Sequence, residues 1–172
     1  MTPEQAGFLS SIFLPSIQKE YETTRRVIRA VPVEKDTFQP HPVARTAIEL
    51  AWHLSSSDIW FLDGFLNSKF EMEDDSMPGD LSDTLDVLAL YEEQFEEKFP
   101  KVSKLSQEFW ATPLTFFEIY HYPAVLYLQF MLNHAIHHRG QLSAYIREMG
   151  GKVPSIYGGS FDEPMLPPPA KE

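Results

Sequence analysis

The sequence predicts an all-α fold: a four-helix bundle with a long crossover connection and an irregular C-terminal tail. Three observations predict it. Apolar residues recur at helical spacing in four separate stretches. Helix-start and helix-stop residues bracket those stretches. The connectors between them are very unequal in length, which in an antiparallel bundle calls for at least one crossover. The 172 residues suit a single domain with a sizeable core, residues 1–172, of which about 160–172 are expected as a loosely ordered tail. No internal repeat divides the chain.

The first helix opens at Thr2 as N-cap with Pro3 at the first helical position, and runs toward Arg29. Pro15 is expected to kink or interrupt it, because proline removes a backbone donor and crowds the preceding turn. Residues Val31 to Pro42 form a Pro-rich connector. The second helix is expected from about Pro42 to Asn67, with Ala47, Leu50, Leu54, Phe61 and Phe65 on one side. Glu71 to Asp80 reads as an acidic loop. A third helix from Ser82 carries Leu85, Leu88, Tyr91, Phe95 and Phe99, and weakens at Pro100. Ser106 to Tyr122 interleaves Phe, Trp and Pro with little periodicity, and reads as an irregular crossover with a short extended or helical piece. The last long helix begins near Pro123 and ends at the Gly150-Gly151 stop.

Charge and composition exclude several functions. A formal net charge of −11, with no clustered Lys/Arg, argues against nucleic acid and against anionic membrane surfaces. No apolar run approaches the roughly 20 residues a bilayer span requires, and no secretory leader is apparent. A cytoplasmic setting is the expectation. The chain contains no Cys, so disulfides, thiolate ligands and Cys nucleophiles are excluded.

The chemistry is concentrated in His134-Ala-Ile-His137-His138-Arg139-Gly140-Gln141, on the last long helix. Residues four apart on a helix lie about 40° apart in azimuth, so His134 and His138 can aim two imidazoles at one point. Taking His138 as the centre of the inward stripe brings Tyr127, Met131, His134, Leu142, Tyr145 and Met149 onto the same face and leaves His137 about 100° away. Buried imidazoles require polar partners, and a divalent transition metal supplies one; core histidines bonded to Tyr or backbone are the plainer alternative. The residue after His134 is Ala135, which removes the Glu of the zinc-helix motif. A di-iron site needs two Glu-x-x-His pairs, and only Glu118 to His121 has that spacing. Candidates for a third ligand are His53, His41 and His121; His53 is favoured because it lies within a helix at the margin of its apolar stripe. Glu49, one turn before His53, is a candidate to orient that imidazole or act as a base. Trp60, Gln141 and Tyr157 are candidate pocket residues. Arg139, off the expected stripe, is assigned to a carboxylate such as Asp162 or Glu163, and Gly140 to close helix packing.

Leu50-Ala51-Trp52-His53-Leu54 with Trp60-Phe61, then His-x-x-x-His-Arg-Gly-Gln from His134 to Gln141, then Pro154-Ser155-Ile156-Tyr157-Gly158 resemble the signatures of the DinB-like family of metal-binding four-helix bundles. The resemblance spans nearly the whole chain, with least support in helix one and residues 106–122. It implies up-down-down-up topology, a metal (zinc or nickel foremost) held by His53, His134 and His138, and a homodimer. Relatives in that family are thiol-dependent transferases and isomerases, in which the metal activates a low-molecular-weight thiol, and proteins described as metal-dependent hydrolases. The resemblance therefore implies a small-molecule substrate, with the thiol arriving as cosubstrate. The alternative is a metal- or ligand-binding bundle without turnover.

Overall fold

A computed structural model describes residues 1–72 and 74–165. Helix α1 (Pro3–Arg29) starts at Thr2, where a capping box pairs the Thr2 hydroxyl with the Gln5 amide and the Gln5 side chain with the Thr2 amide. It passes through Pro15 uninterrupted, contrary to expectation. Pro15 lies on the exposed side, where water can satisfy the carbonyl that loses its partner, while Ile17 and Tyr21 continue the buried face. Helix α2 (Ala47–Asn67) begins five residues later than the sequence suggests, because Thr46 and Glu49 form a second capping box there. Helix α3 (Thr84–Val102) is capped by Asp83 and contains Pro100 near its end; Leu85 faces solvent rather than the core.

Residues 106–123 are more ordered than the sequence suggests. A short helix, α4 (Gln107–Ala111), is followed by strands β1 (Pro113–Phe116) and β2 (Tyr120–Pro123), paired antiparallel with Phe116 opposite Tyr120. The turn places Phe117 and Glu118 at φ 51° and 58°, left-handed conformations that non-glycine residues rarely adopt. Helix α5 (Ala124–Glu148) follows directly.

The four long helices close a ring: α1 packs on α5, α5 on α2, α2 on α3, and α3 back on α1. Leu54, Leu62, Phe65, Tyr91, Phe95, Leu128 and Met131 are among the fully buried side chains at the centre. Tyr21 stacks on Phe95 at 3.8 Å between centroids, joining α1 to α3. Gly64 is required by packing, because a Cβ there would stand 2.2 Å from the Phe70 ring. That contact returns the chain after α2 across the helix surface toward the hairpin, where Phe70 bridges to Phe116. No helix among the described residues is long and apolar enough to cross a membrane.

The buried face of α5 runs through Met131, Ala135, Arg139, Leu142 and Ile146, centred about 60° around the helix from His138, with Met131 and Leu142 shared with the expected face and Arg139 about 100° away. Arg139 is therefore interior, 1 % exposed, and its guanidinium pairs with Glu20 at 2.5 Å and donates to the Tyr157 hydroxyl at 2.7 Å. Asp162 and Glu163, the partners expected for Arg139, instead bind Arg147 and Arg26. These pairs pin the tail as far as they reach. The rest of the expected loose tail, residues 166–172, lies outside the described residues. Gly140 is exposed with open space around it, so it serves no close packing.

A second polar group lies deep in the bundle. Asp58 is 3 % exposed and accepts a 2.6 Å hydrogen bond from Tyr91, while its other oxygen has no partner among the described residues. Burial pushes its pKa up to about 7, against the lowering effects of Tyr91 and Arg139. The folded chain thus holds this proton more tightly than the unfolded chain. The associated stability is present below the unfolded value of 3.8 and is lost as pH rises through about 7. Asp58→Asn, neutral at every pH, should gain on the wild type as pH increases, by up to roughly 3 kcal/mol between pH 5 and pH 8. Urea midpoints of both proteins at the two pH values measure this; a gap independent of pH would show that Asp58 does not titrate in that range.

Candidate metal centre

His53 on α2 and His134 and His138 on α5 meet where these two helices pack. One ring nitrogen from each lies within 4.8 Å of the others, a grouping able to hold a metal ion. The Nε2 atoms of His53 and His134 are 3.2 Å apart. The remaining nitrogens explain why these faces converge. His53 Nδ1 donates to Asp75 Oδ2 at 2.7 Å, which leaves the Nε2 lone pair pointing inward. His138 Nδ1 donates to Gln141 Oε1 at 2.8 Å, with the same consequence for its Nε2. His134 Nδ1 is buried without a partner among the described residues. Burial, then the neighbouring His138 and His53, lower the His134 pKa to about 3, so this ring is neutral and available as a ligand. Burial also lowers His138, against the opposing effect of its bond to Gln141.

Inward lone pairs on two rings, a half-buried neutral third ring and an all-imidazole donor set fit a divalent transition metal. Without one, a single N–H between His53 and His134 could satisfy only that pair of nitrogens.

Asp75 is the residue that sequence reasoning missed. It sits in the 71–80 loop, 22 positions from His53, and no spacing rule links them. Besides His53, its carboxylate accepts from Arg45 Nη2 at 2.8 Å and Ser56 Oγ at 2.9 Å. The Trp52 indole donates to the Asp75 carbonyl at 2.9 Å, and the Trp60 indole to the Glu71 carbonyl at 2.8 Å. Trp52, Ser56 and Trp60 recur every four residues, so one face of α2 holds the loop along its length. Glu49 does not occupy the role expected for it: its carboxylate accepts from the Thr46 amide at 2.7 Å in the α2 cap. That bond and the Thr46 hydroxyl lower its pKa.

The other candidates are distributed as follows. Gln141 contacts His138 through its oxygen and donates to His137 Nε2 at 3.2 Å. Trp60 lines a cavity that reaches the histidines. Tyr157 is absent from that cavity, because its hydroxyl is held by Arg139 and Glu20. His41 accepts from the Val43 amide in the first connector, and His121 contacts Thr115 across the hairpin, so neither enters the cluster. His137 is exposed.

Asp75→Asn keeps the side-chain shape but removes the charge that fixes the His53 tautomer. It should weaken metal binding about 10–100-fold, as measured by competition with a chromogenic chelator. Unchanged affinity would remove Asp75 from the centre.

None of the curated proteins matches the chain. Among solved structures, a DinB-like protein from Bacillus cereus ATCC 10987 superposes with a TM-score of 0.70 at 26% identity, covering 84% of this chain and 95% of that one. A DinB-like protein from Bacillus subtilis, YjoA, superposes with a TM-score of 0.66 at 20% identity, covering 87% and 96%, a likeness of fold. The family model described as DinB family matches residues 6–170. With that match over nearly its full length, a helical fold like theirs and three histidines gathered between α2 and α5, the chain belongs to the DinB family.

Proposed function

We propose that this protein is a metal-dependent enzyme in which His53, His134 and His138 hold one divalent transition metal, zinc or nickel, and which acts on a small molecule. The observation that carries the reading is the pairing of inward and outward nitrogens: the far sides of His53 and His138 are committed to Asp75 and Gln141, and the near sides face a common point. A divalent metal held by three imidazoles supplies Lewis acidity and acidifies a bound water or thiol. Asp75 fixes the tautomer and orientation of His53, with Arg45 and Ser56 holding that carboxylate in place. Gln141 does the same for His138. The adjoining cavity provides space for a substrate beside His53 and His134.

Two reaction classes suit such a site: hydrolysis by water, and S-transfer from a low-molecular-weight thiol. In the second, the thiol arrives as cosubstrate, because the chain has no Cys of its own. A homodimer in the cytoplasm, where small thiols remain reduced, is the setting we propose. The test is a panel of thiols with a reporter electrophile, and a panel of esters, assayed after chelation and after restoring zinc or nickel. A rate that falls on chelation and returns with metal supports the proposal. Metal bound stoichiometrically with no metal-dependent rate on any thiol or ester would leave a binding protein without turnover.

A further inference from the structure

The cavity beside the histidines has a composition that restricts its ligand. Its volume is about 560 Å³, within the range of small-molecule sites. Trp52, Trp60, Phe61, Phe116 and Phe117 contribute aromatic walls, and Ile59, Val87 and Leu90 extend the apolar surface. The walls are held in place. Trp60 stacks on Phe117 at 5.3 Å and meets Phe116 edge-on at 5.4 Å, while both Trp indoles are tied to loop carbonyls.

Charge completes the restriction. No Lys or Arg lines the cavity among the described residues, whereas Asp63, Asp74 and Asp75 do. Apart from the metal proposed at the His53–His134 edge, an anionic ligand would thus enter a space with no cation to meet it. A cationic ligand fares little better. Asp63 is already paired with Lys98 at 2.6 Å, Asp75 is held by Arg45 and His53, and Asp74, which keeps its charge while accepting from Ser76, is exposed to water and salt that screen it. The polar groups left to fix orientation are neutral, Gln94 and Ser57, because Ser55 and Ser56 already donate to the Ala51 carbonyl and to Asp75.

We propose that this cavity binds an uncharged molecule with an aromatic or comparably apolar body, its polar end directed to the His53–His134 edge. The proposal rests on the reading of that edge as a metal centre only for the orientation of the ligand; the binding itself is a property of the cavity walls.

Three probes of matched shape test it: 2-naphthylmethanol, 2-naphthoate and 2-naphthylmethylamine. Binding to the full chain is measured by calorimetry after chelator treatment, so that the carboxylate cannot register by ligating metal, and the alcohol is repeated with zinc restored. Indole N–H resonances report the location. Trp52 and Trp60 line the cavity, and buried Trp110 lies outside its lining and serves as an internal control. The expected result is that the alcohol binds the metal-free protein at least tenfold more tightly than either charged probe, still binds when zinc is restored, and shifts Trp52 and Trp60 but not Trp110. Gln94→Lys, which introduces a cation into the wall, should narrow the gap between alcohol and carboxylate several-fold. Equal or tighter binding of the carboxylate or the amine, or no shift at Trp52 and Trp60, would overturn the proposal. Metal content, measured separately, reports on the histidine centre, so failure of the cavity assignment and failure of the metal assignment are distinguishable.

Discussion

Replacing His53, His134 or His138 singly with alanine should reduce bound metal from about one ion per chain to a small fraction, with affinity falling by more than the roughly 10–100-fold expected for loss of an outer partner. Each ring contributes one inward nitrogen, and among the described residues no other His, Asp or Glu joins the grouping. Two imidazoles four residues apart on one helix remain in His53→Ala, but they lose the ligand from the opposite helix that closes the site. His137→Ala is the control. That ring is exposed and bonded to Gln141, so its loss should leave occupancy intact. Elemental analysis of tag-free protein is the measurement. Stoichiometric metal in all three single variants would end the assignment, and loss in His137→Ala would mean that Gln141 cannot position His138 without it.

Arg139→Ala should have the largest effect on stability, about 3–5 kcal/mol, the usual cost of leaving one member of a buried ion pair uncompensated. The guanidinium is the most deeply placed charge of α5. It pairs with Glu20, donates to the Glu20 carbonyl at 3.2 Å and to Tyr157, and lies 5.4 Å from the Tyr157 ring centroid, joining α5 to α1 and to the C-terminal segment. Its removal strands the Glu20 carboxylate, which is 13% exposed. At roughly 2–4 °C per kcal/mol for a chain of this size, the melting temperature should fall by about 6–20 °C. Arg139→Lys keeps the charge but not the planar fork that serves several acceptors, so it should recover part of the loss. Metal occupancy below the melting transition should be unaffected, because Arg139 points into the bundle and its neighbour His138 points to the metal centre. A fall in occupancy equal to that of His138→Ala would contradict that separation.

The contrast between His138 and Arg139 shows what one dimension conveys and what it omits. Helical period and capping residues are local, so Thr2 and the Gly150-Gly151 stop were legible directly, and so was the existence of each long helix, although the start of the second was read at Pro42 and not at its Thr46 cap. The pairing of His134 with His138 is likewise local, a consequence of 3.6 residues per turn. The azimuth of α5 is not local. It follows from which neighbours accept which side chains, and a buried arginine satisfied by Glu20 is indistinguishable in the sequence from a surface one. The helical piece and hairpin of residues 107–123 escaped periodicity because they are short and depend on packing of Phe116 against Phe70 and Tyr127.

The sequence by itself determined an all-α chain with a histidine pair on its last long helix and, through motif resemblance, the family and the candidate third histidine. Only the tertiary structure decided that His53 meets that pair, that Asp75 rather than Glu49 supports it, and that Arg139 and Tyr157 belong to a separate polar group. The physical reason is range. Capping and period act over one to four residues, whereas the Asp75–His53 and Arg139–Glu20 contacts span 22 and 119 positions and exist only once the helices have packed.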